Sequence, residues 1–265
     1  MKTTKIPATA IVHTRNADRY LQEVLDCLQD FDELMVVDME STDKTLAIAE
    51  ANGCRIEKFP PCGYVEPARG FAMKAARNSW VFFVDADEIV PPELSRWIRN
   101  FVASPGEAKG VLVPRRNFFL GRWMRASYPD YQLRLLNRDF AEWSPQVHSR
   151  PEVKGEVIRI PKSFEELAFI HKSPSMEEVV ERQNRYTNKE VERRPPRKVT
   201  LFTLWFRPWR RFFKAYILKG GFREGLAGYI SARNDAIYQH YILSKQFEQG
   251  LNGRQRSEVV VQHAD

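Results

Sequence analysis

The stretch WVFFVDADEIVPPEL, Trp80 to Leu94, sets five apolar residues directly before three acids, Asp85, Asp87 and Glu88. An apolar strand gains by burial, but ionised carboxylates need a positive partner. In an extended chain the side chains of residues i and i+2 point the same way, so Asp85 and Asp87 present oxygens to one site. Hard oxygen ligands of this kind suit Mg²⁺ or Mn²⁺, which also bind substrate phosphates. The pattern fits a metal that bridges protein and diphosphate. It also fits a plain helix start, because acids ahead of PPEL favour the helix dipole and cap the helix. Capping explains poorly why three acids sit against a wholly apolar strand.

The elements that must position these acids follow from changes of period. TAIVHT reads as a strand, and ADRYLQEVLDCLQDF carries Tyr20, Leu21, Val24, Leu25 and Leu28 at helical spacing. ELMVVD is a second strand. STDKTLAIAEANG opens with capping residues and stops at Gly53, as a helix does. RIEKF, PARGFAMKAARNS, WVFFVD and PPELSRWIRNFVAS continue the alternation. A β-α rhythm of this kind predicts a mostly parallel sheet with helices on both faces, whose ligands bind outside the carboxyl ends of the strands. Asp38 and Asp85 fall there. After Gly110 the rhythm breaks. GVLVPRRNFFLGRW, YQLRLLN and EVIRIP read as strands, expected to form an antiparallel edge that shapes an acceptor pocket. Helices return from Ser175. The tail after Gly250 is expected to be disordered.

The bulk numbers exclude several classes. The chain has 265 residues, 43% hydrophobic and 28% charged, as a soluble globular protein has. Three cysteines, Cys27, Cys54 and Cys62, are too sparse for a disulfide framework and fit reduced thiols. The start MKTTKIPATAIVHT lacks the apolar core of a signal peptide, and no apolar run approaches the roughly 18 residues of a membrane span. Neither a GxxxxGK[ST] loop nor a GxGxxG loop is present, which disfavours P-loop and dinucleotide enzymes. A strand followed by Asp-x-Asp also opens the site of haloacid-dehalogenase-type phosphohydrolases, with the first Asp as nucleophile. Here the motif follows the fourth strand instead of the first. No later DD or GDxxxD supplies the second acidic pair, so the hydrolase is the lesser alternative. A non-catalytic glycan- or membrane-binding protein is the other.

TAIVHTRNADRYLQEVLDCL, DELMVVDMESTDKTLAIAEANG and ARGFAMKAARNSWVFFVDADE, in this order, resemble the family 2 glycosyltransferases of the GT-A fold. The likeness continues through YPDYQLRLLNRDFAEW, VHS and FKAYILKGGFREGLAGY, pieces similar to the lipopolysaccharide-core β-1,4-glucosyltransferase group. The resemblance implies a nucleotide-sugar site. Asp38 is expected at the base or ribose, Thr14 and Asn16 on the loop that packs on the base, and Arg69 near the nucleotide. Asp85 and Asp87 are expected at metal and diphosphate, with Asp87 the direct ligand. Mg²⁺ or Mn²⁺ then neutralises the leaving diphosphate. There are departures: Asn16-Ala17 stands for the usual Asn-Glu, Ala68-Arg69-Gly70 for Ala-Arg-Asn, and Val147-His148-Ser149 for Val-His-Glu.

An inverting transfer needs a base for the acceptor hydroxyl. Asp130, in SYPDYQLRL, is the first candidate, in an aromatic setting expected to raise its pKa. Glu142, Glu152 and His148 are alternatives; Asp130 also reads as a plain turn residue after Pro129, and His148 as a third metal ligand or a structural histidine.

Charge separates the C-terminal part from the rest. Residues 182–223 hold thirteen Lys and Arg against two Glu, a local excess of eleven, so the remaining residues carry −4 of the net +7. Seven aromatics from Phe202 to Tyr216, Trp205, Trp209 and Phe213 among them, fall on one helical stripe. Arg207, Arg210, Arg211 and Lys214 lie on the neighbouring face, and Pro208 is expected to start or kink the helix. This is the pattern of a helix lying on an anionic membrane; packing against the catalytic part and nucleic-acid binding compete with it, the latter without a supporting motif. The expected organisation is a catalytic domain at 1–174, with a nucleotide-sugar half at 6–104 and an acceptor half at 105–174. A helical extension at 175–250 and a tail at 251–265 follow. The expected activity is metal-dependent, inverting transfer of a hexose, glucose in the likeness, from a UDP-linked donor to a lipid-anchored cell-envelope glycan such as lipopolysaccharide core. The expected place is the inner face of the cytoplasmic membrane.

Overall fold

The computed structural model describes residues 4–61, 65–143, 151–193 and 198–262, with side chains through residue 251. The chain forms two units, one of residues 1–117 and 128–172, the other of residues 118–127 and 173–265.

In the first unit the chain alternates β1 (Ile6–Thr14), α1 (Asp18–Asp26), β2 (Phe31–Asp38), α2 (Thr45–Ala51), β3 (Arg55–Lys58), α3 (Glu66–Ala75) and β4 (Trp80–Asp85). The short β5 (Glu88–Ile89), α4 (Pro92–Ala103) and β6 (Ala108–Val113) follow. β7 (Arg115–Phe119) carries the chain into the second unit, where β8 (Arg122–Trp123) completes a hairpin. β9 (Gln132–Asn137), β10 (Ala141–Glu142), β11 (Glu152–Val153), β12 (Glu156–Arg159) and β13 (Phe169–His171) return to the first unit.

Seven strands form one sheet in the order β12-β6-β9-β4-β1-β2-β3. Along β1 the side chains divide by period two. Ala8, Ala10 and Val12 face a core shared with Leu21, Val24 and Leu25 of α1 and Leu94 and Ile98 of α4. Ile11 faces a second core with Ala68 and Ala72 of α3, Phe83 and Trp143. A parallel strand covered on both faces reads as a continuous apolar run for this reason. The same holds for β4, where all of Trp80–Val84 is buried. Each large side chain so buried stabilises the fold by about 1.5–3 kcal/mol.

Register sets the ligand edge. β1 pairs in parallel with β2 and β4, with Thr14 opposite Asp38 and His13 opposite Asp85. The two acids leave the sheet at one carboxyl edge, two strands and hence about 10 Å apart. The expected antiparallel addition is present but lies inside the sheet. β9 runs between β4 and β6, antiparallel to both, while β12 pairs in parallel with β6. A reversed strand begins where β4 ends, so it delivers its first residues to the carboxyl edge. β13 pairs with β5 and with β7, setting His171 opposite Glu88 and Asn117.

The second unit takes more of the chain than expected. Residues 118–127, expected in the acceptor half, belong to it. The β7–β8 hairpin turns through Leu120 (φ 48°) and Gly121 (φ 75°), the left-handed pair a two-residue hairpin needs. It is held by the buried Glu224, which accepts from Arg122 Nε and the Ala126 N–H, each at 3.2 Å. The helices are α5 (Met176–Arg193), α6 (Leu201–Phe213) and α7 (Gly225–Gln262), with a wider π turn over Lys214–Leu218. Thr200 and Thr203 cap α6 reciprocally. Pro208 lies inside α6, so it does not start that helix. The tail expected to be disordered from residue 251 continues α7 as helix to Gln262. Neither Gly250 nor Gly253 is followed by the proline that would end it.

Candidate active site

The loops after β1 and β2 are laced together at the carboxyl edge. Asp38, 2% exposed, accepts from Thr14 Oγ1 at 3.0 Å and from the Ser41 N–H at 3.0 Å. Asn16 adopts φ 51°, and its amide oxygen accepts the Thr42 N–H at 2.8 Å. Its own N–H donates to Ser41 Oγ at 2.9 Å. Thr14, Asn16 and Asp38 therefore share one hydrogen-bonded loop pair. Asp38 also lines a cleft of about 330 Å³ with Glu40, Ser41, Leu46, Lys58, Phe59 and Pro60.

The positive partners of the acids after β4 are guanidinium groups. Asp85 Oδ1 meets Arg69 Nη2 at 2.9 Å and Arg134 Nη1 at 3.2 Å, and Asp85 Oδ2 also takes Arg134 Nη2. Glu88, with its side chain wholly buried, meets Arg134 at 2.7 Å and Arg115 at 2.9 Å, and accepts the Asp85 N–H at 3.1 Å. Arg115 continues to Asp130 at 2.6 Å. The result is an alternating row: Arg69, Asp85, Arg134, Glu88, Arg115, Asp130. Burial alone pushes the Asp85 carboxyl up, but Arg134 and Arg69 outweigh it and hold it far below the usual range. Burial lowers Arg134 in turn, and Asp85 and Glu88 more than reverse this, so it stays charged. Removing one member of such a buried set strands the other, at a cost of about 3–5 kcal/mol.

Two expectations meet this row. Of Asp85 and Asp87, both expected at the metal with Asp87 the direct ligand, Asp85 has its oxygens engaged by Arg69 and Arg134 and Asp87 is the more open acid. Asp130 was expected in a setting that raises its pKa. Burial does raise it, but hydrogen bonds from Asn117 at 3.0 Å and Gln132 at 3.0 Å, with the charge of Arg115, bring it below the usual value.

Asp87 keeps a side chain 45% exposed, with Oδ2 at 3.2 Å from His171 Nε2. His171 Nδ1 lies 2.9 Å from Asn117 Oδ1. Among the described residues no group of three or more His, Cys, Asp or Glu gathers as a metal cage. Asp87 and His171 are a two-residue donor pair, one oxygen and one nitrogen.

The alternative bases lie elsewhere. Glu142 and Glu152 face each other across β10 and β11, and both are exposed. Glu142 lines a cavity of about 480 Å³ with Gly70, Met73, Lys74, Arg138 and Trp143. His148 lies outside the described residues. Sequence reasoning missed Arg134, Arg115, Asn117 and His171. Arg134 did leave a signal, a lone cation in the otherwise apolar alternation of QLRLLN. His13 was missed as well. It stacks on Phe83 at 5.9 Å, and burial with the nearby Arg69 lowers its pKa to about 3, so it is neutral.

In the second unit the aromatic stripe of α6 divides. Phe212 meets Tyr229 of α7 edge-on at 5.6 Å, and Tyr216 does so at 5.7 Å. Phe202, Trp205 and Trp209 remain 67%, 67% and 49% exposed, and Phe213 is also exposed. Arg210, Arg211 and Lys214 are exposed beside them. Among the described residues no helix is long and apolar enough to cross a membrane.

An α/β unit that gathers acids and guanidinium groups at the carboxyl edge of its sheet belongs to the class that binds ligands there. The family model of glycosyl transferase family 2 matches residues 9–149, which span both acid-bearing strands. The lipopolysaccharide core biosynthesis glycosyltransferase LpsC of Rhizobium meliloti (strain 1021) is 26% identical over 274 residues, covering 98% of this chain and 99% of that protein. The uncharacterized glycosyltransferase RC0292 of Rickettsia conorii (strain ATCC VR-613 / Malish 7) is 28% identical over 265 residues, covering 93% and 92%. Among solved structures, glucosyl-3-phosphoglycerate synthase from Mycobacterium tuberculosis in complex with phosphoglyceric acid is similar with a TM-score of 0.45 and 18% identity, over 66% of this chain and 76% of that one. The chain belongs to glycosyl transferase family 2 and is a glycosyltransferase.

Proposed function

We propose that this enzyme transfers a hexose, with inversion and with a divalent metal, from a UDP-linked sugar to a lipid-anchored cell-envelope glycan. The observation that carries the reading is the state of the acids after β4: Asp85 is neutralised within the protein, and Asp87 is left open beside His171. A carboxylate oxygen suits Mn²⁺ or Mg²⁺, and the imidazole nitrogen beside it favours the transition metal of the two, Mn²⁺. Asp87 and His171 would hold the metal, with phosphate oxygens and water completing its shell. The bound metal supplies positive charge to the departing diphosphate. Arg69, fixed by Asp85 and lying over the Trp143 ring at 5.1 Å, adds a second positive charge near the same edge. Asp38, with Thr14 and Asn16, holds the loops that take the nucleoside. In the hydrolase alternative Asp85 would be the nucleophile, and two guanidinium groups on its oxygens oppose that role.

Lipopolysaccharide core as the acceptor is supported by the likeness of the whole chain to the Rhizobium meliloti protein, and glucose as the sugar by the resemblance of the YPDYQLRLLNRDFAEW and FKAYILKGGFREGLAGY pieces to the lipopolysaccharide-core β-1,4-glucosyltransferase group. A place at the inner face of the cytoplasmic membrane is supported by the exposed aromatics and cations of α6. The test is UDP release from UDP-sugars in the presence of Mn²⁺. Release is expected to require metal and to disappear in Asp87→Ala. Phosphate release from simple monoesters, with no effect of nucleotide, would point to the hydrolase instead.

A further inference from the structure

The side chain of Asn117 stands between two groups that decide which way it faces. Its Nδ2 lies 3.0 Å from Asp130 Oδ2, and its Oδ1 lies 2.9 Å from His171 Nδ1. An ionised carboxylate only accepts hydrogen bonds, so the amide end that meets Asp130 must be the NH₂. Arg115, with Nη2 at 2.6 Å and Nε at 3.0 Å from the same Oδ2, keeps that carboxylate ionised. The amide oxygen is therefore turned to His171, and it too only accepts. Nδ1 must be the ring nitrogen that carries the proton. In the neutral ring Nε2 then has a bare lone pair, directed at Asp87 Oδ2 from 3.2 Å. A proton on Nε2 makes this contact an ordinary hydrogen bond to Asp87; without it two acceptors face each other, an arrangement a divalent cation satisfies.

The register of the small sheet builds this arrangement. β13 and β7 run parallel with His171 opposite Asn117, so the two side chains share one face and touch without a loop between them. Asp130 precedes β9 and receives three donors besides Asn117: Arg115 Nε, Arg115 Nη2 and Gln132 Nε2. Its position is thus fixed before Asn117 is considered.

We propose that Asn117, anchored by Asp130, is a positioning residue for the divalent metal: it holds the proton on Nδ1 of His171 and leaves Nε2 facing Asp87 as a ligand. The inference rests on Asp87 and His171 as the metal pair. Asn117 and Asp130 do not touch the metal in this arrangement. They act through His171, as the hydrogen-bond partners of ligating histidines generally do. The Asp130–Asn117–His171–Asp87 relay also ties the acceptor-side acid to the donor-side metal by side-chain bonds alone.

The experiment uses the full chain and Mn²⁺ alone, with free Mn²⁺ followed by electron paramagnetic resonance. His171→Ala is expected to lose binding. Asn117→Leu, which keeps the size and removes both hydrogen bonds, is expected to bind Mn²⁺ about 10–100-fold more weakly. If His171→Ala binds like the wild type, the metal pair itself is wrong. If His171→Ala loses binding while Asn117→Leu keeps it, the metal pair stands and the role of Asn117 is overturned. A measurement on the unaltered protein decides the matter even where a variant fails to fold. The ¹⁵N spectrum of the metal-free chain should show the His171 ring in its Nδ1–H form, and the Nε2–H form would overturn the proposal.

Discussion

Asp130 shows how a residue changes meaning once its partners are known. From the sequence it was the first candidate for the base, an acid after a proline in an aromatic setting. In the structure it is an ion-paired anion that accepts from Arg115, Asn117 and Gln132. A carboxylate held below its usual pKa takes up a proton less readily, and we propose that Asp130 holds the site in place of serving as its base. The two roles differ in magnitude. Asn in place of Asp still accepts from Asn117 and Arg115, so loss of a holder's charge is expected to reduce transfer by about tenfold, and loss of a general base by about 10²–10⁴-fold. We expect Asp130→Asn to fall in the smaller range, measured as kcat at saturating donor, acceptor and Mn²⁺. A loss of a thousandfold with unchanged Mn²⁺ binding would return Asp130 to the role of base. Glu88 resolves in the same way. It is a buried counter-ion to Arg134 and Arg115, and it does not cap the helix that follows.

The elements legible in the sequence were those defined by local pattern. The β-α alternation up to α4 follows from changes of period and from turn residues, and the carboxyl-edge position of Asp38 and Asp85 follows from parallel topology. Pairing between distant strands left no local mark. YQLRLLN was readable as a strand, but nothing in it says that it enters between β4 and β6. Arg134 therefore reaches Asp85 across 49 residues of sequence without warning. His171 sits on a three-residue strand 84 residues from Asp87, too short for any periodicity to reveal. Nothing in the GGFREGLAG segment marks in sequence the close backbone approach it contains. A Cβ added at Gly228 would stand 1.9 Å from the Gly221 carbonyl oxygen and 2.8 Å from Glu224 Cβ. The first obstacle is backbone, so no rotamer change relieves it. Gly228→Ala is accordingly expected to destabilise the second unit by about 1–3 kcal/mol, read as a lower urea midpoint. An unchanged midpoint would mean that this turn yields without cost.

At the scale of the whole molecule, charge and apolar exposure coincide. From Lys198 to Arg223 the sequence contains seven cations and no acid, and the same segment exposes Phe202, Trp205, Trp209 and Phe213. Part of the aromatic stripe is consumed against α7, through Phe212 and Tyr216; α7 belongs to the same unit as α6, so this is not the packing against the catalytic part that competed with the membrane reading. The exposed side fits an anionic bilayer on two counts: aromatic rings suited to the headgroup level, and cations worth about 1 kcal/mol each near an anionic surface. Arg211 is a poor probe of this, because its charge also acts on Asp235 of α7. Arg210 and Lys214 are exposed and serve better. Reversing both in Arg210→Glu/Lys214→Glu removes about 2 kcal/mol of attraction, roughly 30-fold in affinity, before any repulsion is counted. The wild-type chain is expected to float with vesicles containing phosphatidylglycerol, less so as salt rises, and to stay behind with neutral phosphatidylcholine. The double variant should lose flotation and retain the Mn²⁺ affinity and thermal stability of the wild type. Equal flotation of wild type and variant would show that these cations do not face lipid. A salt-insensitive dimer of the wild type in solution would assign the exposed aromatics to a second copy of the chain.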